Sequence, residues 1–181
     1  MFKREIISEL MRWKNSTNRK PLILSGARQV GKTWVLKEFG AIAFDDCVYF
    51  SLDKDKAVCQ FFKTTKDAVR IVEQLSYLHG RTIQKNSTLI IFDEIQECPE
   101  ALQSLKYFCE DEPEYAVVCA GSLLGVYLNH PNQSFPVGKV DHIDMYPLSF
   151  REFLQQKEDL QPDSFQSSYD KGRMFHKHHR K

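Results

Sequence analysis

Short apolar runs alternate with amphipathic stretches along most of the chain. The apolar runs predict strands at residues 21–25, 47–52, 89–94, 115–120 and 140–146. Between them, apolar residues recur at helical spacing, which predicts helices at about 4–14, 34–39, 55–62 and 66–79, one that begins at Pro99, and one at 150–157. We expect Gly40 and Gly80 to end two helices, the Thr64-Thr65 pair to cap the fourth, and Ser149 to cap the last.

Strands that alternate with helices are typical of an α/β fold, with a parallel sheet and helices on both faces. The run at 89–92 is apolar without interruption, as in a central strand that is buried on both sides. Right-handed crossovers place the carboxyl ends of all strands at one edge of such a sheet. Polar residues that follow the strands are therefore expected to meet there, where sheets of this kind bind ligands.

The composition is that of an ordinary soluble globular protein, with 42% hydrophobic and 27% charged residues. A length of 181 residues suits one domain, and a net charge of +1 gives no general indication of a nucleic-acid partner. No apolar run is long enough to span a bilayer, and the first residues are too charged for a signal peptide. No membrane association is expected.

The chain has five cysteines, at positions 47, 59, 98, 109 and 119. An odd number without a C-x-x-C pair argues against a zinc site or a disulfide framework. Their apolar neighbours predict reduced, mostly buried thiols, and with them a cytoplasmic protein.

The most specific signal is the stretch Gly26–Thr33, which fits the pattern G-x-x-x-x-G-K-[ST] of a phosphate-binding P-loop without a mismatch. A predicted strand precedes it and a predicted helix follows it, which is the context that such a loop requires. Gly26 and Gly31 allow the backbone to curl closely around an anion, and the helix N-terminus adds a positive dipole. Lys32 offers a charge to the outer phosphates, and Thr33 offers a hydroxyl oxygen to Mg²⁺.

The loop and the residue after it are expected to contact a bound nucleotide. The predicted contacts are Gly26, Ala27, Arg28, Gln29, Val30, Gly31, Lys32, Thr33 and Trp34. A second interpretation stays open for Arg28 and Gln29, whose side chains could instead point outward into solvent.

Two acids, Asp93 and Glu94, follow the continuous apolar run. Asp93 is expected to hold Mg²⁺ together with Thr33, and Glu94 is expected to polarise a water for attack on the γ-phosphate. Ser122 follows the next strand, where it either reaches the γ-phosphate or the attacking water, or caps a helix at 123–125. Gln96 either orients the acidic pair or is a solvated loop residue. The predicted catalytic residues are Lys32, Glu94 and Ser122.

The sequence resembles the bacterial and archaeal AAA+-type ATPases whose ATPase domain is usually followed by a nuclease-like C-terminal domain of unknown function. The resemblance rests on four motifs in family order and extends over residues 1 to about 157. The motifs are Lys20–Thr33, Phe92–Gln96, Gly121–Ser122 and Tyr146–Phe153. The resemblance implies the strand order 5-1-4-3-2, ATP as the nucleotide and Mg²⁺ as the metal. It also implies that the first two motifs are Walker A and Walker B, and that Ser122 corresponds to sensor 1.

The resemblance divides the chain into an AAA+-like ATPase core at 1–160 and a polar, basic tail at 161–181, which is expected to be poorly ordered. Family members usually continue well beyond this point and include a helical lid. We therefore expect a truncated product or a fragment.

The expected function is Mg²⁺-dependent hydrolysis of ATP coupled to a conformational change. The alternative is a nucleotide-binding module with negligible turnover, since the lid that normally excludes water is missing. A GTPase is disfavoured because no Asn-Lys-x-Asp stretch is present to bind guanine, and the adjacent acids disfavour a small-molecule kinase. ATP is the expected partner, self-association or a protein partner stays open, and DNA binding has support from the basic tail alone.

Overall fold

The computed structural model describes residues 4–122, 135–150 and 152–154. The helices are α1 (Ile6–Lys14), α2 (Lys32–Ala43), α3 (Lys56–Thr64), α4 (Ala68–His79) and α5 (Pro99–Glu110), with a short 3-10 helix at Ile95–Glu97. The strands are β1 (Leu22–Ser25), β2 (Asp46–Ser51), β3 (Thr88–Asp93), β4 (Ala116–Gly121) and β5 (Asp141–Asp144). Each strand predicted from an apolar run is therefore present, with slightly different bounds.

The strands form one sheet in the order β2-β3-β4-β1-β5, and every neighbouring pair is parallel. This order is 5-1-4-3-2 counted from the other edge, as the family resemblance implies. β3 lies between β2 and β4 and is buried at all of its positions. The predicted α/β fold, with an uninterrupted apolar strand in the interior of a parallel sheet, is confirmed.

Apolar side chains of the sheet point alternately to its two faces, and helices cover both. Ile23 belongs to the core cluster that contains residues of α3, α4 and α5. Its neighbours Leu22 and Leu24 belong to the cluster that contains residues of α1 and α2. Each such aliphatic side chain contributes about 1.5–3 kcal/mol when it is fully buried. The two apolar layers therefore hold the carboxyl ends of the strands in fixed positions.

One predicted helix end is wrong, because Gly40 lies inside α2 rather than after it. A Cβ atom at Gly40 would lie 2.5 Å from Sγ of Cys47, closer than any real contact of this kind. Glycine at this position therefore allows α2 to pack directly on β2. Gly80, by contrast, does end α4, with a left-handed φ of 77° that favours glycine.

The predicted cap of α4 is also wrong. Thr64 is the last residue of α3, and the N-cap of α4 is Asp67. Its Oδ1 accepts hydrogen bonds from the amides of Val69 at 3.0 Å and Arg70 at 3.2 Å. A carboxylate at a helix N-terminus satisfies amides that have no partner within the helix and interacts favourably with the helix dipole.

Arg4, Glu5 and the described residues from Leu148 onward belong to a unit separate from Ile6–Pro147. Within this small unit, the predicted cap at Ser149 is confirmed. Its Oγ accepts from the amide of Glu152 at 3.1 Å, and Oε2 of Glu152 accepts from the amide of Ser149 at 2.8 Å. This reciprocal pair is a capping box.

The carboxylate of Glu152 joins both segments of the small unit. Oε1 of Glu152 accepts from Nε of Arg4 at 3.1 Å and from the amide of Glu5 at 3.0 Å. Burial raises the pKa of this carboxyl, but the amide hydrogen bonds from Ser149 and Glu5 and the charge of Arg4 outweigh burial and leave the pKa below its usual value.

All five cysteines are free; Cys59, Cys98 and Cys119 are buried, and Cys47 and Cys109 are partly buried. The prediction of reduced, mostly buried thiols is confirmed. Burial, and to a lesser extent a hydrogen bond with Cys59, raises the pKa of Cys98 to about 12, so this thiol stays protonated at neutral pH.

Some predictions lie outside the described residues. They are the segment at 123–125, the end of the last helix at 155–157, the domain boundary at 160 and the tail at 161–181. Within the ranges given above, none of the helices combines the length and the apolar composition that crossing a bilayer requires.

Candidate functional site

The Gly26–Thr33 loop connects the carboxyl end of β1 to the first residues of α2. Gly31 is the N-cap residue of α2 and has a left-handed φ of 93°, and no side chain within the described ranges caps the helix. The first amides of a helix have no partner within the helix, and anions commonly bind at this position. The predicted strand–loop–helix context is therefore confirmed, and the role of the loop in phosphate binding stays a prediction.

Position 26 has no room for a side chain, because the segment that follows β5 lies against it. A Cβ atom at Gly26 would lie 2.3 Å from the carbonyl oxygen of Met145, which immediately follows β5. The amide of Met145 donates to the carbonyl of Ser25 at 2.7 Å, so this segment is fixed against the loop. A larger residue at Gly26 would displace either the loop or the end of β5.

Lys32 is the first residue of α2, and it is only 7% exposed. Its Nζ donates to the carbonyls of Gly26 at 2.9 Å and Ala27 at 2.8 Å, which holds the ammonium over the loop. Burial lowers the pKa of Lys32, while the charges of Glu94 and Asp93 raise it. The Lys32 ammonium therefore interacts electrostatically with both predicted acids, Asp93 and Glu94.

Thr33 and Asp93 are in direct contact. The Thr33 hydroxyl donates to Oδ2 of Asp93 at 2.6 Å, and Oδ1 of Asp93 accepts from the amide of Glu94 at 3.0 Å. Asp93 is the last residue of β3 and is 6% exposed. The structure thus brings the two predicted metal ligands together at the carboxyl edge of the sheet, although their role stays a prediction.

Glu94 has a left-handed backbone, with φ 52° and ψ 51°, which is uncommon for a residue with a side chain. Its Oε2 accepts from Nε2 of Gln96 at 2.5 Å and from the Ser122 hydroxyl at 3.3 Å. Of the two interpretations of Gln96, the structure therefore supports the one in which Gln96 contacts the acidic pair.

Gln29 in the loop also has a left-handed φ, of 64°. Such backbone outliers concentrate at functional sites, where their surroundings hold them in place.

One atom of the Gln96 amide has no partner. The nitrogen is bonded to Glu94, but Oε1 is buried and accepts no hydrogen bond within the part of the chain that the structure describes. A buried acceptor without a donor is costly, so it is a place where a water or another donor is favoured.

A cleft of about 600 Å³ lies beside these groups. Its walls are formed by Arg28, Gln29, Gly31, Lys32, Thr33, Trp34, Asp53, Glu94, Gln96 and Glu97. Both Arg28 and Gln29 border the cleft, although each is exposed. The remaining predicted residues, Gly26, Ala27, Val30, Asp93 and Ser122, do not line it. Val30 packs instead against the core beneath α1 and α2. Asp93 contacts Thr33, which does line the cleft.

Three residues near the cleft are absent from the sequence predictions: Tyr49, Asp53 and Glu97. The Tyr49 hydroxyl donates to Oδ2 of Asp93 at 2.8 Å. Burial, together with this bond, raises the pKa of Tyr49 to about 12, so the phenol is a neutral donor at neutral pH. The alternation of β2 places residues 49 and 51 on one face, but their register against β3 is not visible in the sequence.

This set of donors fits a nucleotide with Mg²⁺. The loop amides and Lys32 are donors of the kind that bind phosphate oxygens, and the side chains of Thr33 and Asp93 carry the hard oxygens that Mg²⁺ prefers. Mg²⁺ is commonly bound by one or two protein groups plus substrate phosphates, so a single carboxylate is sufficient here.

Two examples of the solved structures that are similar to this chain follow. The Orc1 protein of Aeropyrum pernix, in complex with DNA, is 16% identical with a TM-score of 0.49, over 87% of this chain and 47% of that one. PCH-2 of C. elegans is 15% identical with a TM-score of 0.44, over 78% of this chain and 40% of that one. The similarity spans less than half the length of either structure. No curated protein matches the sequence.

A family model described as an AAA domain matches residues 18–154. The matched range contains the whole sheet, the Gly26–Thr33 loop, the acidic pair and Ser122. Since the match covers well over half of the 181 residues, this chain belongs to the AAA-domain family of P-loop ATPases.

Proposed function

We propose that this chain hydrolyses ATP in a Mg²⁺-dependent reaction and couples the hydrolysis to a conformational change. The observation that carries the proposal is the contact between Thr33 and Asp93, made beside the Lys32 ammonium and the Glu94 carboxylate. A phosphate-binding loop, a metal-binding pair and a base at one sheet edge are the parts that phosphoryl transfer to water needs.

The binding half of the proposal rests on α2 and the Gly26–Thr33 loop. The first amides of α2 and the Lys32 ammonium would bind the β- and γ-phosphates, as positive groups at a helix N-terminus do. Thr33 and Asp93 would hold Mg²⁺, which offsets the negative charge of the phosphates when it is bound.

The hydrolytic half rests on Glu94 and its two donors. Glu94 would take a proton from a water as the water oxygen bonds to the γ-phosphorus, while the bond from that phosphorus to the bridging oxygen of ADP breaks. Gln96 and Ser122 both donate to Oε2 of Glu94, so Oε1 is the oxygen left to accept from the water.

The contact between Ser122 and Glu94 supports the coupling to a conformational change. Ser122 directly follows β4 and is 2% exposed, and its hydroxyl bonds to the proposed base at 3.3 Å. A change at Glu94 on loss of the γ-phosphate would therefore reach the end of β4 through a direct hydrogen bond.

Phosphate release measured with the full chain, ATP and Mg²⁺ tests the proposal. We expect Lys32→Ala and Glu94→Gln each to lower the rate at least about a hundredfold, as the loss of a phosphate-binding charge or of a general base does. Glu94→Gln should still bind ATP. The exposed residues Lys54 and Glu73 provide matched controls, and Lys54→Ala and Glu73→Gln should retain the wild-type rate.

Two results would contradict the proposal in different ways. A rate unchanged in Lys32→Ala and Glu94→Gln would mean that the hydrolysis has another source. Tight ATP binding by the wild-type chain without any phosphate release would identify a nucleotide-binding module instead of an ATPase.

A further inference from the structure

Tyr49 makes a contact with the predicted metal site that the proposed reaction does not yet use. Its hydroxyl donates to Oδ2 of Asp93 at 2.8 Å, and this is the same oxygen that accepts from Thr33 at 2.6 Å. The other oxygen, Oδ1, accepts from the amide of Glu94 at 3.0 Å. Three donors thus fix both oxygens of one carboxylate.

The pairing of β2 with β3 explains how Tyr49 reaches Asp93. The two strands pair in parallel, with Tyr49 opposite Ile91 and Ser51 opposite Asp93. Residues 49 and 51 point to the same face of the sheet as residues 91 and 93. Asp93 is therefore the diagonal neighbour of Tyr49, a separation that an aromatic side chain can span.

A second contact holds the Tyr49 ring. Nζ of Lys37 lies 3.8 Å from the centre of the ring, within the range of a cation–π interaction. Lys37 lies four residues after Thr33 on α2, so both side chains are on one face of the helix. The ring also packs against the core beneath α1 and α2. Lys37 and the core thus restrain the ring of Tyr49, and its hydroxyl donates to Asp93.

We propose that Tyr49 is a positioning residue for the metal site: its hydroxyl holds the Asp93 carboxylate with Oδ2 facing Thr33, and this sets the affinity of the nucleotide complex for Mg²⁺. The inference rests on the proposed function. It predicts a role for the hydroxyl rather than for the ring, because the ring is held by Lys37 and the core whether or not the hydroxyl is present.

The test is a Mg²⁺ titration of phosphate release at saturating ATP, with the full chain and the Tyr49→Phe variant. The half-saturating Mg²⁺ concentration should rise about threefold to tenfold, as expected for the net contribution of one ordinary hydrogen bond. ATP affinity measured with EDTA should stay within about twofold of wild type, since Tyr49 contacts the metal ligand and not the loop. Tyr77→Phe is the matched control, because Tyr77 is 92% exposed.

Lys37→Met separates the hydroxyl from the packing of the ring, because it removes the cation and retains the phenol. We expect its half-saturating Mg²⁺ concentration to rise less than that of Tyr49→Phe, because the core still holds the ring and the hydroxyl is retained. The inference is wrong if Tyr49→Phe titrates like wild type, if Lys37→Met shows the same shift as Tyr49→Phe, or if Tyr49→Phe also loses ATP affinity in EDTA. A wild-type chain without any response to Mg²⁺ would instead contradict the proposed function, and the two failures are therefore distinguishable.

Discussion

The hydroxyl of Thr33 donates a 2.6 Å hydrogen bond to Oδ2 of Asp93, although 60 positions separate the two residues in the chain. Thr33 lies in the first turn of α2, and Asp93 ends β3, which is two strands away from β1 in the sheet. The contact exists because parallel crossovers bring the carboxyl ends of these strands to one edge. It joins the two halves of the proposed nucleotide site.

Loss of the Thr33 hydroxyl should weaken the response to Mg²⁺. We expect Thr33→Ala to raise the half-saturating Mg²⁺ concentration in the phosphate-release assay by about tenfold or more, because a hard oxygen ligand and a charge-assisted hydrogen bond are both lost. Thr33→Ser retains the hydroxyl and should stay within about threefold of wild type. An unchanged Mg²⁺ response in Thr33→Ala would contradict this role.

Gln96 should affect turnover without affecting ATP binding. Its amide nitrogen donates to Oε2 of Glu94 at 2.5 Å, so Gln96→Leu releases the proposed base from its orientation. We expect kcat to fall about tenfold while the ATP dissociation constant is retained, as for loss of a group that orients a general base. Gln60→Leu, at an exposed position on α3, is the control. Equal losses of kcat and ATP affinity would instead indicate a general disturbance of the cleft.

A side chain at Gly40 should destabilise the protein through a steric clash and not through backbone strain. We expect Gly40→Ala to lower the free energy of unfolding by about 1–3 kcal/mol, although alanine is the better helix former by about 1 kcal/mol. A Cys47→Ala background removes the Sγ atom that would lie 2.5 Å from the new Cβ, so this cost should shrink there.

Gly80 provides the comparison for Gly40, because nothing lies within 4 Å of a Cβ there, and its φ is 77°. Gly80→Ala should cost about 1–2 kcal/mol from the left-handed backbone alone. That cost should be the same with and without Cys47→Ala. Chemical denaturation of Gly40→Ala and Gly80→Ala, each with and without Cys47→Ala, measures these free energies of unfolding. A Gly40→Ala chain as stable as wild type would contradict the close packing of α2 on β2.

The contrast between these glycines shows what the sequence could predict. Gly80 follows the apolar stripe of its helix, and a local rule was sufficient to place the helix end there. Gly40 satisfies the same local rule, but a contact with Cys47 on another element determines its role. Local patterns therefore predicted which elements form, and a packing contact between elements determined the role of Gly40.

The same contrast between local sequence patterns and contacts between elements applies to the candidate site. The loop pattern identified Lys32 and Thr33, and the acids after the apolar run identified Asp93 and Glu94, because strand ends meet at one edge. Tyr49 could not be predicted in this way. It contributes through a diagonal contact with Asp93, which depends on the register between β2 and β3, and register is a property of the folded sheet.

Glu152 should make the small unit sensitive to acid. The pKa of its carboxyl is lower in the folded protein than in the unfolded chain, so its stabilising effect is complete above the unfolded pKa of about 4.3 and is lost as the pH falls through the lower folded value. Glu152→Gln should remove this dependence. It should also speed amide hydrogen exchange at Glu5 and Ser149, the two amides that donate to the carboxylate.

Hydrogen exchange at pH 7 and at about pH 3.5, followed for wild type and Glu152→Gln, measures the effect. As the pH falls, the protection of these two amides in wild type should decrease towards the protection measured in Glu152→Gln. Equal protection of Glu5 and Ser149 in both proteins at pH 7 would contradict the role assigned to Glu152.

Calorimetric titration with ATP, with and without Mg²⁺, of the wild-type chain and of Lys32→Ala tests the central claim most directly. The account predicts that wild type binds ATP at micromolar to low millimolar concentrations, more tightly with Mg²⁺, and more tightly than GTP. Lys32→Ala should bind at least about tenfold more weakly, because the ammonium over the Gly26–Thr33 loop is lost. Equal ATP affinity in the two proteins, or no ATP binding by wild type, would contradict the account.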